Sequence, residues 1–183
     1  MSQTAPAVPP AAIIAAGFDA KALKTWSSRD GGGYQLTLTH LGKPVATVTN
    51  DGNGGPTSID WLNMTWDGRV SHGYNATPAQ TKKANAQYPL SLAAKAAMDA
   101  LVASLPPHHY HGMDLKVDAS WVVEELANIV STRKSLRTKT IFQVNGTEYQ
   151  IKAAYDAKVA AYIKGKYPTA VILNEDPAYA VAA

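Results

Sequence analysis

The hydrophobic pattern changes period along the chain, and the first clear pattern has a period of two. Tyr34, Leu36 and Leu38 alternate with Gln35 and Thr37, and a β-branched run at residues 45–49 follows the turn Leu41-Gly42-Lys43. Such alternation marks a strand with one buried face. Residues 58–66 read as a third strand, and Asp67-Gly68 is a hairpin signal leading into residues 69–71. Together they predict an antiparallel meander of three or four strands. Ahead of it, the Ala-rich residues 11–24 predict a short helix with Gly17 as its weak point. Residues 1–10 are small, polar and proline-rich, and predict a disordered arm.

Further along, the period becomes helical. Residues 77–87 are polar and read as loop or ragged helix. Pro89 then opens a helix carrying Leu90, Leu92, Ala93, Ala97, Leu101 and Leu105. Proline is tolerated in a first turn, where its missing N–H would have no intrahelical acceptor. Pro106-Pro107 ends the helix. Asp118 is the expected N-cap of another helix, reaching Leu136, with Val122, Leu126, Ile129 and Val130 as its apolar stripe and Trp121 and Val123 widening it. Residues 138–144 and 147–151 flank Asn145-Gly146, which predicts a hairpin with a type I′ turn. A helix over 153–167, stopped by Pro168, an apolar run at 170–173 and a loosely held tail at 174–183 complete the pattern.

The predicted fold class is α+β: an N-terminal antiparallel β-meander packed with two central helices, and a C-terminal hairpin–helix unit. One domain is expected over 11–183, with 11–75 and 88–183 as its subdivisions; 183 residues suit one domain with an adequate core.

Composition removes several chemistries. The chain has no cysteine, which excludes disulfides, thiolate metal sites and cysteine nucleophiles. Apolar residues make up 46% and charged ones 17%, a balance that favours a folded domain over disorder. No basic segment precedes the apolar residues 11–16, and no apolar run is long enough for a membrane span. The expectation is a cytoplasmic protein without a membrane partner. The net charge of +3 is too small to name a partner by itself.

Candidate sites are few. Residues 50–55, Asn-Asp-Gly-Asn-Gly-Gly, offer bare amides for a phosphate, and Asp51 and Asn53 offer oxygen ligands. The segment lacks both the nucleotide-loop contexts and the closing glutamate of a calcium loop, so it reads first as a turn. Even so, Asp51 and Asn53 are retained as candidate binding residues. His108, His109 and His111, close to Asp114, form the best metal candidate, although they follow Pro-Pro in an expected loop. Glu124 and Glu125 project about 100° apart on a helix, which does not make a converging acid–base pair. Asp30, Asp51 and Asp67 sit beside turn glycines, and their spacing with Asp60 requires no metal. No serine-nucleophile elbow is present. Arg133, Lys134, Arg137 and Lys139 form the densest basic patch, which serves a nucleic acid in one reading and the dipole of a helix C-terminus in another. Trp26, Tyr34, Trp61, Trp66 and Tyr74 read as core aromatics, with base stacking as the alternative.

Two stretches carry a resemblance. Tyr34-Gln35-Leu36-Thr37-Leu38, continued by Gly42-Lys43-Pro44-Val45-Ala46-Thr47-Val48-Thr49-Asn50-Asp51-Gly52-Asn53-Gly54-Gly55, resembles a hairpin of small, uncharacterised bacteriophage accessory proteins. The stretch from Thr140-Ile141-Phe142 through Tyr149-Gln150-Ile151-Lys152 to Tyr162 and Tyr167 is similar to the same group. The resemblance implies a phage-encoded protein of the host bacterial cytoplasm and transfers no catalytic residue. The leading expectation is a non-enzymatic binding protein that inhibits a host or defence protein and needs no cofactor. The alternatives are a nucleic-acid or nucleotide-signal binder using residues 133–139 and a metal-dependent hydrolase using His108, His109 and His111.

Overall fold

A computed structural model of the chain describes residues 8–28 and 30–180. The class is α+β. The described residues fall into two compact units, divided between Ala127 and Asn128. That boundary lies inside a helix. Of the predicted N-terminal arm, residues 1–7 lie outside the described residues, whereas Val8 is buried.

The first unit begins with a short helix, α1 (Pro10–Ala15), followed by strands β1 (Phe18–Ser27), β2 (Gly32–His40), β3 (Lys43–Asn50) and β4 (Ser58–Trp61). The predicted helix over 11–24 therefore ends early. At Gly17 the backbone takes a φ of +81°, a Cβ there would lie 2.7 Å from the Leu41 side chain, and the following residues pair with β2. Strand pairing has overridden the helix preference of Ala and Lys. The sheet is antiparallel in the order β1-β2-β3-β4. Its register lines up Ala20, Leu38, Ala46 and Trp61 in one cross-strand row and Leu36, Val48 and Ile59 in another. Leu36, Leu38, Ala46 and Val48 are almost wholly buried, so these rows form the inner face. The strand predicted over residues 58–66, β4, stops at Trp61, and beyond it a Met64–Val70 bridge continues the pairing.

Helix α2 spans Pro78–Ser104, and Pro89 lies inside it rather than at its start. Thr77 and Gln80 form a reciprocal capping box that opens the helix eleven residues earlier than the proline reading allows. Its buried positions are Ala84, Ser91, Ala94, Met98 and Leu101, whereas Leu90 and Leu92 are exposed. The face predicted from the leucines is largely the wrong one. Ser91 is fully buried because its hydroxyl donates to the Val45 carbonyl of β3 at 3.1 Å, and Gln87 donates to the Pro44 carbonyl at 2.8 Å. A buried hydroxyl with a partner is tolerated in a core. The unit also contains a small hairpin, β5 (His108–Tyr110) with β6 (Met113–Leu115), and the start of α3 (Ala119–Leu136). The Asp118 carboxylate accepts from the Ser120 amide at 2.8 Å, as an N-cap should.

The second unit holds the remainder of α3, strands β7 (Thr140–Val144) and β8 (Thr147–Ile151), helix α4 (Ala157–Lys166) and the short strand β9 (Val171–Ile172). The sheet order is β8-β7-β9, all antiparallel. The Asn145-Gly146 turn has positive φ at both residues, as predicted. Asp156 starts α4 by accepting from the Val159 amide at 2.7 Å, later than the predicted residue 153. Phe142, Ile163 and Ile172 form one apolar cluster, and Leu136, Ile141 and Leu173 another. The tail, predicted to be loose, is structural as far as Ala180. The Asn174 side chain accepts from the Ile141 amide at 3.1 Å and donates to the carbonyls of Lys139 at 3.2 Å and Leu136 at 3.4 Å.

Candidate functional site

In the first unit, β4 carries Ile59, Asp60 and Trp61 to an open cleft of about 550 Å³. The far wall is the turn that follows, with Met64, Thr65, Trp66, Asp67 and Gly68, and Lys95 of α2 reaches the rim. The turn is held from several directions. The Thr65 amide donates to the Arg69 carbonyl at 2.8 Å, and the Thr65 hydroxyl accepts from the Arg69 amide at 3.0 Å. The Gly68 amide donates to the Thr65 carbonyl at 3.0 Å, and the Tyr88 hydroxyl of α2 donates to the Gly68 carbonyl at 2.6 Å. Arg69 pairs with Asp67 at 3.1 Å. On this pinned turn Trp66 is 100% exposed, and Tyr74 a little further on is 98% exposed. Reading these two aromatics as core is therefore incorrect, and the same holds for Trp26, which is 41% exposed. Trp66 lies in the tight turn after the last strand, where alternation no longer assigns a side chain to the core.

The glycine segment is a turn. The Asn50 and Asp51 carboxamide and carboxylate oxygens accept the amides of Gly52 and Asn53, each at 2.9 Å. Asp51 is thereby engaged with its own loop, next to exposed Asn53. Gly52 has a φ of +77°, and a Cβ there would lie 2.5 Å from the Gly33 nitrogen. The Trp26 indole covers Gly33 and donates to the Asp51 carbonyl at 3.3 Å. The bare backbone at Gly52 thus serves a close approach between two chain segments. Nearby, buried Thr57 accepts from the Asn50 amide group at 2.9 Å and donates to Glu124 at 3.0 Å, with the Tyr34 hydroxyl 3.5 Å away. Burial raises the Tyr34 hydroxyl above its ordinary value. Glu124, which sequence spacing left without a role, is tied to this network.

The histidines occupy a hairpin rather than a loop, with positive φ at both His111 and Gly112 in its turn. Successive strand residues face opposite sides, so His108 and His109 diverge. The His108 ring packs against Trp121 with centroids 5.2 Å apart, His109 contacts Asp114 at 2.9 Å, and His111 sits in the turn. Among the described residues, no group of three or more His, Asp or Glu side chains is placed to hold a metal ion.

The basic patch is also divided. Arg133 donates to the Ala178 carbonyl at 3.0 Å and so holds the tail, while Lys139 donates to Gln150 of β8 at 3.1 Å. Lys134 and Arg137 are exposed. The second unit instead gathers aromatics that sequence spacing left unassigned. Phe142 and Tyr149, opposite each other on β7 and β8, stack with centroids 5.6 Å apart, and Tyr149 stacks with Tyr167 at 6.2 Å. The Lys166 amine lies 5.4 Å from the Tyr167 ring centroid and 5.9 Å from that of Tyr162. On another face of α4, Lys164 pairs with Glu175 at 2.8 Å, and Tyr155 donates to the same carboxylate. Those bonds, the one from Lys164 foremost, hold the Glu175 carboxyl below its ordinary value, and the bond to Glu175 raises Tyr155.

No protein-family model, curated protein or solved structure matches the chain. Among the described residues, no helix is long and apolar enough to cross a membrane.

Proposed function

We propose that the chain is a non-enzymatic binding protein whose contact with a protein partner centres on Trp66 and the adjoining cleft. One observation carries the reading: a tryptophan exposed over its whole surface on a turn fixed by hydrogen bonds. Tryptophan and tyrosine are enriched among the residues that dominate binding energy at interfaces. A turn whose backbone is fixed beforehand also loses little conformational freedom on binding. The cleft beside it, walled by Ile59, Trp61 and Met64 with carboxylates at its edge, has room for an apolar side chain of the partner. The finer reading is a phage-encoded inhibitor that acts in the bacterial cytoplasm by occupying a host or defence protein, and the resemblance of the 34–55 hairpin supports it. The divergence of His108 and His109 leaves the hydrolase alternative without a ligand set.

The test is affinity capture from nuclease-treated bacterial lysate with the wild-type protein and with Trp66→Ala, compared by quantitative mass spectrometry. A partner enriched by wild type and lost by at least about thirtyfold with Trp66→Ala is the expected result, the scale of one interface hot spot. Equal capture by both proteins, or none by either, overturns the proposal.

A further inference from the structure

The second unit carries a surface of different chemistry, and none of its residues belongs to the cleft. Lys158, Tyr162 and Lys166 recur every four residues along α4 and are all exposed. Side chains with that spacing lie on one face of a helix. The backbone positions of the two lysines are therefore separated along the axis by about 12 Å, with a tyrosine 58% exposed between them. Next to Lys166, the Tyr167 ring continues the stack through 45%-exposed Tyr149 to Phe142. Glu175 is engaged with Lys164 on another face, and among the described residues neither Lys158 nor Lys166 has a carboxylate partner. Residues 128–183 contain eight lysines and arginines against four acidic residues, whereas residues 7–127 contain nine against ten. The chain's positive charge thus resides in this unit.

Positive charge interleaved with exposed aromatic rings is the chemistry that single-stranded nucleic acid requires: amines for the phosphates and ring faces for unstacked bases. We infer that the Lys158–Tyr162–Lys166 face of α4, extended by Tyr167 and Tyr149, binds single-stranded nucleic acid. Phosphates pair with the two amines while a base stacks on Tyr162. A duplex keeps its bases stacked inside and offers this face only its phosphates.

The full chain is titrated into a fluorescent oligo-dT of about 20 nucleotides, and into a duplex of the same length, with anisotropy as the readout between about 50 and 200 mM salt. The expected result is single-strand binding that weakens with salt, exceeds duplex binding, and falls about tenfold or more with Tyr162→Ala. Tyr162→Phe, which keeps the ring, stays within about twofold of wild type. The pair Lys158→Ala and Lys166→Ala weakens binding and flattens the salt dependence, whereas Lys83→Ala on α2 does neither. Tyr162 is largely exposed, so these variants fold, and circular dichroism verifies it. No oligonucleotide binding at the lower salt overturns the inference. So does equal binding of duplex and single strand that Tyr162→Ala leaves unchanged, which is attraction by charge alone.

Discussion

All four tryptophans lie in residues 7–127, while five of the nine tyrosines lie in the shorter stretch 128–183. The first unit is nearly charge-balanced and holds an exposed tryptophan on a fixed turn beside a cleft. The second is basic, and two of its tyrosines, Tyr149 and Tyr167, stack with Phe142 beside Lys166. The difference teaches that composition averaged over the whole chain hides its functional content. A net charge of +3 looks featureless until it is assigned to a unit. Aromatics that look equivalent in sequence divide into an exposed, unpacked Trp66 in the first unit and a stacked group in the second.

The two units are also stabilised differently, and substitutions can separate them. The largest expected effect is on the first unit, where two chain segments touch at Gly52. Gly52→Ala combines positive φ with a backbone clash and should destabilise by about 3 kcal/mol or more, whereas Gly54→Ala, with nothing within 4 Å of a Cβ, should cost about 1 kcal/mol. Urea unfolding followed by tryptophan fluorescence reads the first unit alone, because every tryptophan is there. Similar losses for the two variants would show that the close approach contributes little.

Asn174→Ala is the corresponding break in the second unit. It removes three side-chain bonds and should cost about 2–3 kcal/mol. Near-UV circular dichroism of the tyrosines during unfolding measures it, and an unchanged midpoint would mean that Asn174 does not anchor the tail.

A smaller effect depends on pH. Because Lys164 and then Tyr155 hold the Glu175 carboxyl below its ordinary value, its contribution is complete above the ordinary carboxylate range. That contribution disappears as pH falls through the folded-state value. Glu175→Gln should therefore be slightly less stable than wild type at neutral pH and indistinguishable from it in strong acid. The site is exposed, so the difference is small. A gap that persists in acid would assign the effect to packing. Smallest of all, Trp66→Ala should change stability by no more than about 0.5 kcal/mol, since the ring has no packing to lose. A thermal melt showing a larger loss would contradict its assignment as a contact residue.

Several elements were legible in the residues alone. The β2–β3 pairing follows from alternation and a glycine turn, the β7–β8 hairpin from Asn145-Gly146, and the start of α3 from Asp118. Each is a local event, determined by side-chain period or by the φ values a turn demands. The turn character of residues 50–55 was legible for the same reason. The sequence by itself also excluded every chemistry that needs cysteine.

Only the tertiary structure decided the rest. Residues 18–24 favour a helix locally but pair with β2, because a ladder of backbone bonds and a buried row outweigh modest propensities. On α2 the choice of face went to Ala94, Met98 and a hydrogen-bonded serine over Leu90 and Leu92, since the carbonyl that accepts from Ser91 lies on β3, more than forty residues away in sequence. The candidate sites changed for the same reason. Arg133 and Lys139 left the basic patch when distant acceptors engaged them, and the histidines diverged once strand pairing placed neighbours on opposite faces. Trp66 and the Tyr149–Tyr167 ladder came into view because burial and stacking depend on which segments meet, and a linear pattern records only the spacing within each segment.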